Sequence, residues 1–76
     1  MKVVMPSIGM AMQDGKIIKW YQDDGAKVTE GEPMVDIESE KLTNTIPVPA
    51  TGVFRRVAVE GDVILCGDPI AEIAEG

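Results

Sequence analysis

Asp24-Gly25-Ala26-Lys27-Val28-Thr29-Glu30-Gly31-Glu32-Pro33-Met34-Val35-Asp36-Ile37 decides the fold, because the chain writes it a second time. The second copy reads Glu60-Gly61-Asp62-Val63-Ile64-Leu65-Cys66-Gly67-Asp68-Pro69-Ile70-Ala71-Glu72-Ile73. Two glycines, a proline and an isoleucine recur at a constant offset of 36 residues. Glycine and proline are placed for backbone reasons, so the match points to a repeated chain path. Upstream it continues with gaps: Met5-Pro6 matches Val48-Pro49, and Gly15-Lys16-Ile17-Ile18 matches Gly52-Val53-Phe54. Between proline and glycine the first copy has eight residues, Ser7 to Asp14, and the second only Ala50 and Thr51. The insertion is either a place for function, since the shared part already serves the fold, or a plain longer loop.

The repeated unit reads as β structure. Lys2 to Met5, Lys16 to Tyr21, Met34 to Glu38, Thr43 to Val48, Gly52 to Val59 and Ile70 to Ala74 are short, Val- and Ile-rich runs bounded by Gly, Pro or Asp. Val28-Thr29 and Ile64-Leu65 are brief strands at matching positions. No segment holds a 3.6-residue period long enough for a substantial helix. The expectation is a single all-β domain over residues 1–76, a flattened β-barrel or sandwich of two small antiparallel sheets with internal pseudo-twofold symmetry. The turn Ser39-Glu40-Lys41 joins two strands as a hairpin. Adding the repeat offset to Lys41 runs just past Gly76, so this turn should lie at the pole opposite both termini.

Composition removes several chemistries. There is no histidine, so the usual general base, the Ser/His and Cys/His pairings and the commonest zinc ligand are missing. A net charge of −6 argues against nucleic acid, whose binding rests on basic side chains. No apolar run approaches the ~20 residues that span a bilayer, and the opening Met1-Lys2-Val3-Val4-Met5-Pro6 has no signal or transit layout. A soluble cytoplasmic protein without a membrane partner is expected. Cys66 is the only cysteine and reads as an incidental thiol at a strand end.

Lys41 acquires meaning from its surroundings. Glu38-Ser39-Glu40-Lys41-Leu42 resembles the modification signature of lipoyl domains, commonly Glu-Thr-Asp-Lys-Ala, with conservative changes at Ser39 and Glu40 and a larger one at Leu42. The family characteristically places glycine sixteen residues before the lysine and eleven after it, and here those positions are Gly25 and Gly52. The opening Met5-Pro6-Ser7-Ile8-Gly9, with Met12, Gly15 and Trp20, is similar to the start of 2-oxo acid dehydrogenase acyltransferase chains. Ala26 departs from the Asp that often follows the glycine; the second copy keeps it at Asp62.

The resemblance implies that Lys41 carries lipoate through an amide. The domain would then be a non-catalytic carrier, a swinging arm serving a lipoate-attaching enzyme, a thiamine-dependent 2-oxo acid decarboxylase, an acyltransferase core and a dihydrolipoyl dehydrogenase. It implies a recognition role for Glu38 and places the Met10-Ala11-Met12 loop near the lipoyl turn, as a contact for the decarboxylase. Gly52 serves either recognition or a turn with positive φ. Trp20 reads as core, alternating with Ile18. The isolated domain is expected to be monomeric, and the ending Glu75-Gly76 fits an excised part of a larger acyltransferase. Alternatives are a biotinyl carrier domain, which usually flanks its lysine with methionines, and an unmodified interaction module.

Overall fold

The repeat governs both where strands end and how they pair. In the computed structural model, which describes residues 1–7, 13–39 and 42–75, these residues form eight strands. They are β1 (Lys2–Val4), β2 (Asp14–Trp20), β3 (Lys27–Val28), β4 (Pro33–Ser39), β5 (Leu42–Pro47), β6 (Gly52–Arg56), β7 (Val63–Leu65) and β8 (Pro69–Ala74). Two four-stranded sheets result, in the orders β1-β8-β6-β3 and β5-β4-β2-β7. Exchanging each strand for its repeat mate turns one order into the other. Each sheet takes strands from both copies, so neither copy can complete a sheet alone. The two layers form a sandwich and do not close into a barrel.

The symmetry holds residue by residue. Lys2 opposes Glu72, Val3 opposes Ala71 and Val4 opposes Pro69; in the other sheet Thr45 opposes Asp36, Ile46 opposes Val35 and Pro47 opposes Pro33. Both pairs slip register at the same place, which buries two consecutive side chains, Met34 with Val35 and Ile70 with Ala71. The turns match as well. Gly25 N–H donates to Phe54 O (2.6 Å) as Gly61 N–H donates to Ile17 O (2.7 Å), and both glycines have φ near +90° (87° and 93°). An L side chain pays for that conformation and glycine does not.

Inward-facing Met5, Ile17, Met34, Ile37, Phe54, Ile70 and Ile73 fill the space between the layers, each no more than 1% exposed. Trp20 meets Phe54 edge to face, with centroids 5.5 Å apart. The accessible surface is 4731 Å², close to the roughly 4,500 Å² expected for this mass.

Three expectations change. Trp20 is buried, but with Ile17 and not Ile18: register slips between Ile17 and Lys19, so Ile18 is an extra, exposed residue in β2. That one-residue bulge also explains why Gly15 and Gly52 are 37 apart while the later glycines are 36 apart. β6 ends at Arg56 and not at Val59, because Val57 and Ala58 both donate to Ile70 O (2.9 and 3.0 Å) and the chain leaves the ladder. Gly52 has no positive φ; it begins β6 where an added Cβ would overlap the Ala74 carbonyl and come within 2.9 Å of the Ile73 methyl.

The chain ends meet in the first sheet. The Met1 amino group donates to Ile73 O (2.8 Å) and Ile73 N–H donates to Met1 O (2.9 Å), the mate of the Ile37·Asn44 pair in the other sheet. From Met1 the chain passes through β1 to Met5, roughly 13 Å on, whose N–H donates to Asp68 O (2.8 Å). Gly67 N–H returns a bond to Met5 O (3.0 Å), and the neighbouring Cys66 N–H donates to Gln13 O (2.9 Å) at the start of β2. The molecule measures 35 × 19 × 18 Å, and the expected polar position of Lys41 lies outside the described residues.

Candidate functional site

The β4–β5 hairpin is the site the sequence singles out. Its ladder runs from Pro33 opposite Pro47 to Ser39 opposite Leu42, so the strands converge further than the expected three-residue turn allows. Glu40 and Lys41 alone connect them, and both lie outside the described residues. The flanks are open: Leu42 is 63% exposed and Ser39 half-buried. Behind them Val35 and Ile37 are fully buried, anchoring β4 in the core.

The outer face of the hairpin carries a network that the sequence reading missed. Asp36 accepts from Thr45 Oγ1 through Oδ1 (2.6 Å) and from Tyr21 Oη through Oδ2 (2.8 Å), tying together β5, β4 and the residue that follows β2. Lys19 Nζ stands 5.0 Å from the Tyr21 ring centroid. The Thr45 and Tyr21 hydroxyls hold the Asp36 carboxyl below the usual carboxylate range, with a smaller pull from Lys19, while the bond to Asp36 pushes the Tyr21 phenol up. A signal existed: Asp36 interrupts an apolar run at an outward position, and counting back from a two-residue link puts it opposite Thr45.

Glu38 is exposed one step nearer the link, in register between Lys16 and Thr43. The same register brings β2 to the hairpin. β2 follows the insertion in sequence, so Asp14 and Gly15 lead from it into the Lys16·Glu38 pair. Met10, Ala11 and Met12, with Ile8 and Gly9, lie outside the described residues. Its two ends meet Cys66, whose N–H bonds Gln13 O and whose thiol donates to Pro6 O (3.7 Å).

Gly25 and Gly52 do not gather here. Gly25 shapes a turn against Phe54, and Gly52 sits in the other sheet against Ala74, so both have a structural reason of their own. Trp20 is core. Among the described residues no three His, Cys, Asp or Glu side chains are grouped to hold a metal ion. What the geometry offers is a pair of strands, anchored inside by Val35 and Ile37 and tied together outside by Asp36, paired up to the residues that flank Glu40 and Lys41.

Known proteins share this arrangement. A family model described as "Biotin-requiring enzyme" (biotin/lipoyl) matches residues 1–73. The dihydrolipoyllysine-residue acetyltransferase component of the acetoin cleaving system of Cupriavidus necator is 40% identical over 63 residues, 82% of this chain. The dihydrolipoyllysine-residue succinyltransferase component of the 2-oxoglutarate dehydrogenase complex of Rickettsia conorii is 34% identical over 76 residues, 99% of this chain. The chain spans 17% and 19% of the length of these two relatives. In three dimensions it matches the lipoyl domain of the 2-oxoglutarate dehydrogenase complex of Azotobacter vinelandii. The TM-score is 0.81 at 30% identity, covering 99% of this chain and 96% of that one.

Proposed function

The chain belongs to the biotin/lipoyl domain family, and from that premise we propose that it is a carrier domain bearing lipoate in amide linkage on Lys41. In this reading it moves acyl groups and electrons within a 2-oxo acid dehydrogenase complex, between a thiamine-dependent decarboxylase, an acyltransferase core and a dihydrolipoyl dehydrogenase. The carrying observation is the hairpin: strands paired as far as Ser39 and Leu42 leave a link of two residues, one of them lysine.

Amide formation requires that a ligase bring an activated carboxyl to one ε-amine, so the acceptor must be accessible and its approach fixed. Buried Val35 and Ile37 fix β4 from inside, and the Asp36 carboxylate fixes β4 to β5 from outside. Exposed Glu38 is available to the attaching enzyme. The amide removes the lysine charge, taking the domain from −6 to −7. Lipoate supplies a dithiolane for acyl and electron transfer, chemistry that no side chain of a histidine-free domain provides.

Lipoate is preferred to biotin because the relatives' names carry dihydrolipoyllysine and because Glu40 and Leu42, not methionines, flank the lysine. The single cysteine agrees with a reducing, cytoplasmic setting, and we expect the isolated domain to be a monomer. The test is intact mass after incubation with a lipoate ligase and ATP. Wild type should gain one lipoyl group and Lys41→Arg none; modification of the Arg variant, or attachment only by a biotin ligase, overturns the reading.

A further inference from the structure

We infer that the outer face of the β1-β8-β6-β3 sheet is a docking surface for an acidic segment of another protein. The domain carries −6 in total. Yet this face presents Lys2 from β1, Arg55 from β6 and Lys27 from β3, all exposed, against one exposed acid, Glu72. Register gathers them: Lys2 opposes Glu72, Glu72 opposes Arg55, and Lys27 opposes Val53, two positions along β6 from Arg55.

The same positions in the other sheet provide the control. There the mates are Thr45, Asp36 and Lys19 in one row and Lys16 and Glu38 in the next, and the charges cancel. The backbone is the same in both sheets, so the fold does not demand a positive face. Lys27 and Arg55 stand diagonally on neighbouring strands with no acid between them, and a partner bearing carboxylates complements both.

The face is also grooved. Two concavities of about 250 and 360 Å³ adjoin, sharing Val53 and Ala74; Lys2, Glu72 and Arg55 border the first and Lys27 the second. An extended segment that sets an apolar side chain on Val53 and Ala74, with carboxylates on either side, meets all three cations. Arg55 can take a carboxylate through two parallel hydrogen bonds. The acids of the turns do not forbid this approach, because screening confines charge to about 8 Å at physiological salt. This surface is distinct from the Lys41 hairpin and does not depend on what Lys41 carries.

The test is a titration of isotope-labelled domain with a synthetic Glu-Glu-Leu-Glu-Glu peptide at about 0.15 M ionic strength, where the acids of the turns are screened, followed by amide NMR shifts. Saturable shifts should cluster at Lys2, Lys27, Val53, Arg55, Glu72 and Ala74 and weaken with added salt. Lys27→Glu with Arg55→Glu should bind about tenfold or more weaker, whereas Lys16→Glu with Lys19→Glu should bind like wild type. Where the double reversal fails to fold, Arg55→Gln serves, with a smaller loss expected. Absent or unsaturable shifts, shifts centred on the other sheet, or equal binding by the face variants overturn the proposal. So do shifts that track domain concentration without peptide, which make the occupant a second copy, and tighter binding of a single-stranded oligonucleotide than of peptide.

Discussion

The β4–β5 pair and the β8–β1 pair are the same piece of structure used twice. Both are antiparallel, both slip register at the residue beside a proline, and both bury two consecutive side chains there. One is closed by Glu40 and Lys41, whereas the other is left open as the chain ends, where Met1 and Ile73 exchange hydrogen bonds. Their outer faces differ too. Asp36 is bonded by Thr45 and Tyr21, while its mate Glu72 stands between Lys2 and Arg55. What the halves share therefore serves the sandwich, and the two pairs differ in the link and in their outer faces.

The largest break in that symmetry should come from packing. Gly52→Val forces a branched side chain into the Ala74 carbonyl, where backbone must move, and should cost about 3 kcal/mol, read from the urea midpoint. A cost below about 1 kcal/mol means that β6 and β8 can part without penalty.

A smaller effect tests whether the copies are energetically alike. Gly25 and Gly61 have matching positive φ and nothing within 4 Å of an added Cβ, so Gly25→Ala and Gly61→Ala should each cost about 1–2 kcal/mol. Denaturant curves should agree within the roughly 0.5 kcal/mol expected of equivalent sites. A clear inequality shows that the insertion or the link makes one copy weaker.

The smallest effect concerns the network found in one half alone. Asp36 titrates lower folded than its unfolded value of about 3.9. Its contribution is thus present above about pH 4 and is lost as pH falls through the lower folded value. Asp36→Asn and Thr45→Val should both flatten the acid limb of the Tm–pH curve, modestly, because the carboxylate faces solvent. An unchanged limb in both makes the two outer faces electrostatically equivalent.

Much of this was legible in the sequence, for specific reasons. Gly25, Gly31, Gly61 and Gly67 all mark left-handed turns, so their spacing carried the backbone path directly. The two strands on either side of the Lys41 signature were legible, and they pair as far as Ser39 and Leu42. What escaped was set by register. Ile18 looks like a core partner of Trp20 by simple alternation, and only the bulge reverses it. Gly52 read as serving recognition or a positive-φ turn, but its structural place is close approach to Ala74, which lies 22 residues away in sequence. The Tyr21, Asp36 and Thr45 cluster required knowing that the link is two residues long. The positive face required knowing which strands from different copies become neighbours.

The central claim is that one lysine of five, the one in the link between paired Ser39 and Leu42, is the acceptor. Peptide-level mass spectrometry of the domain after enzymatic lipoylation tests it most directly. All lipoyl mass should map to the peptide containing Lys41, with Lys2, Lys16, Lys19 and Lys27 unmodified. Lipoyl mass on any of those four, or on none of the five, contradicts the account.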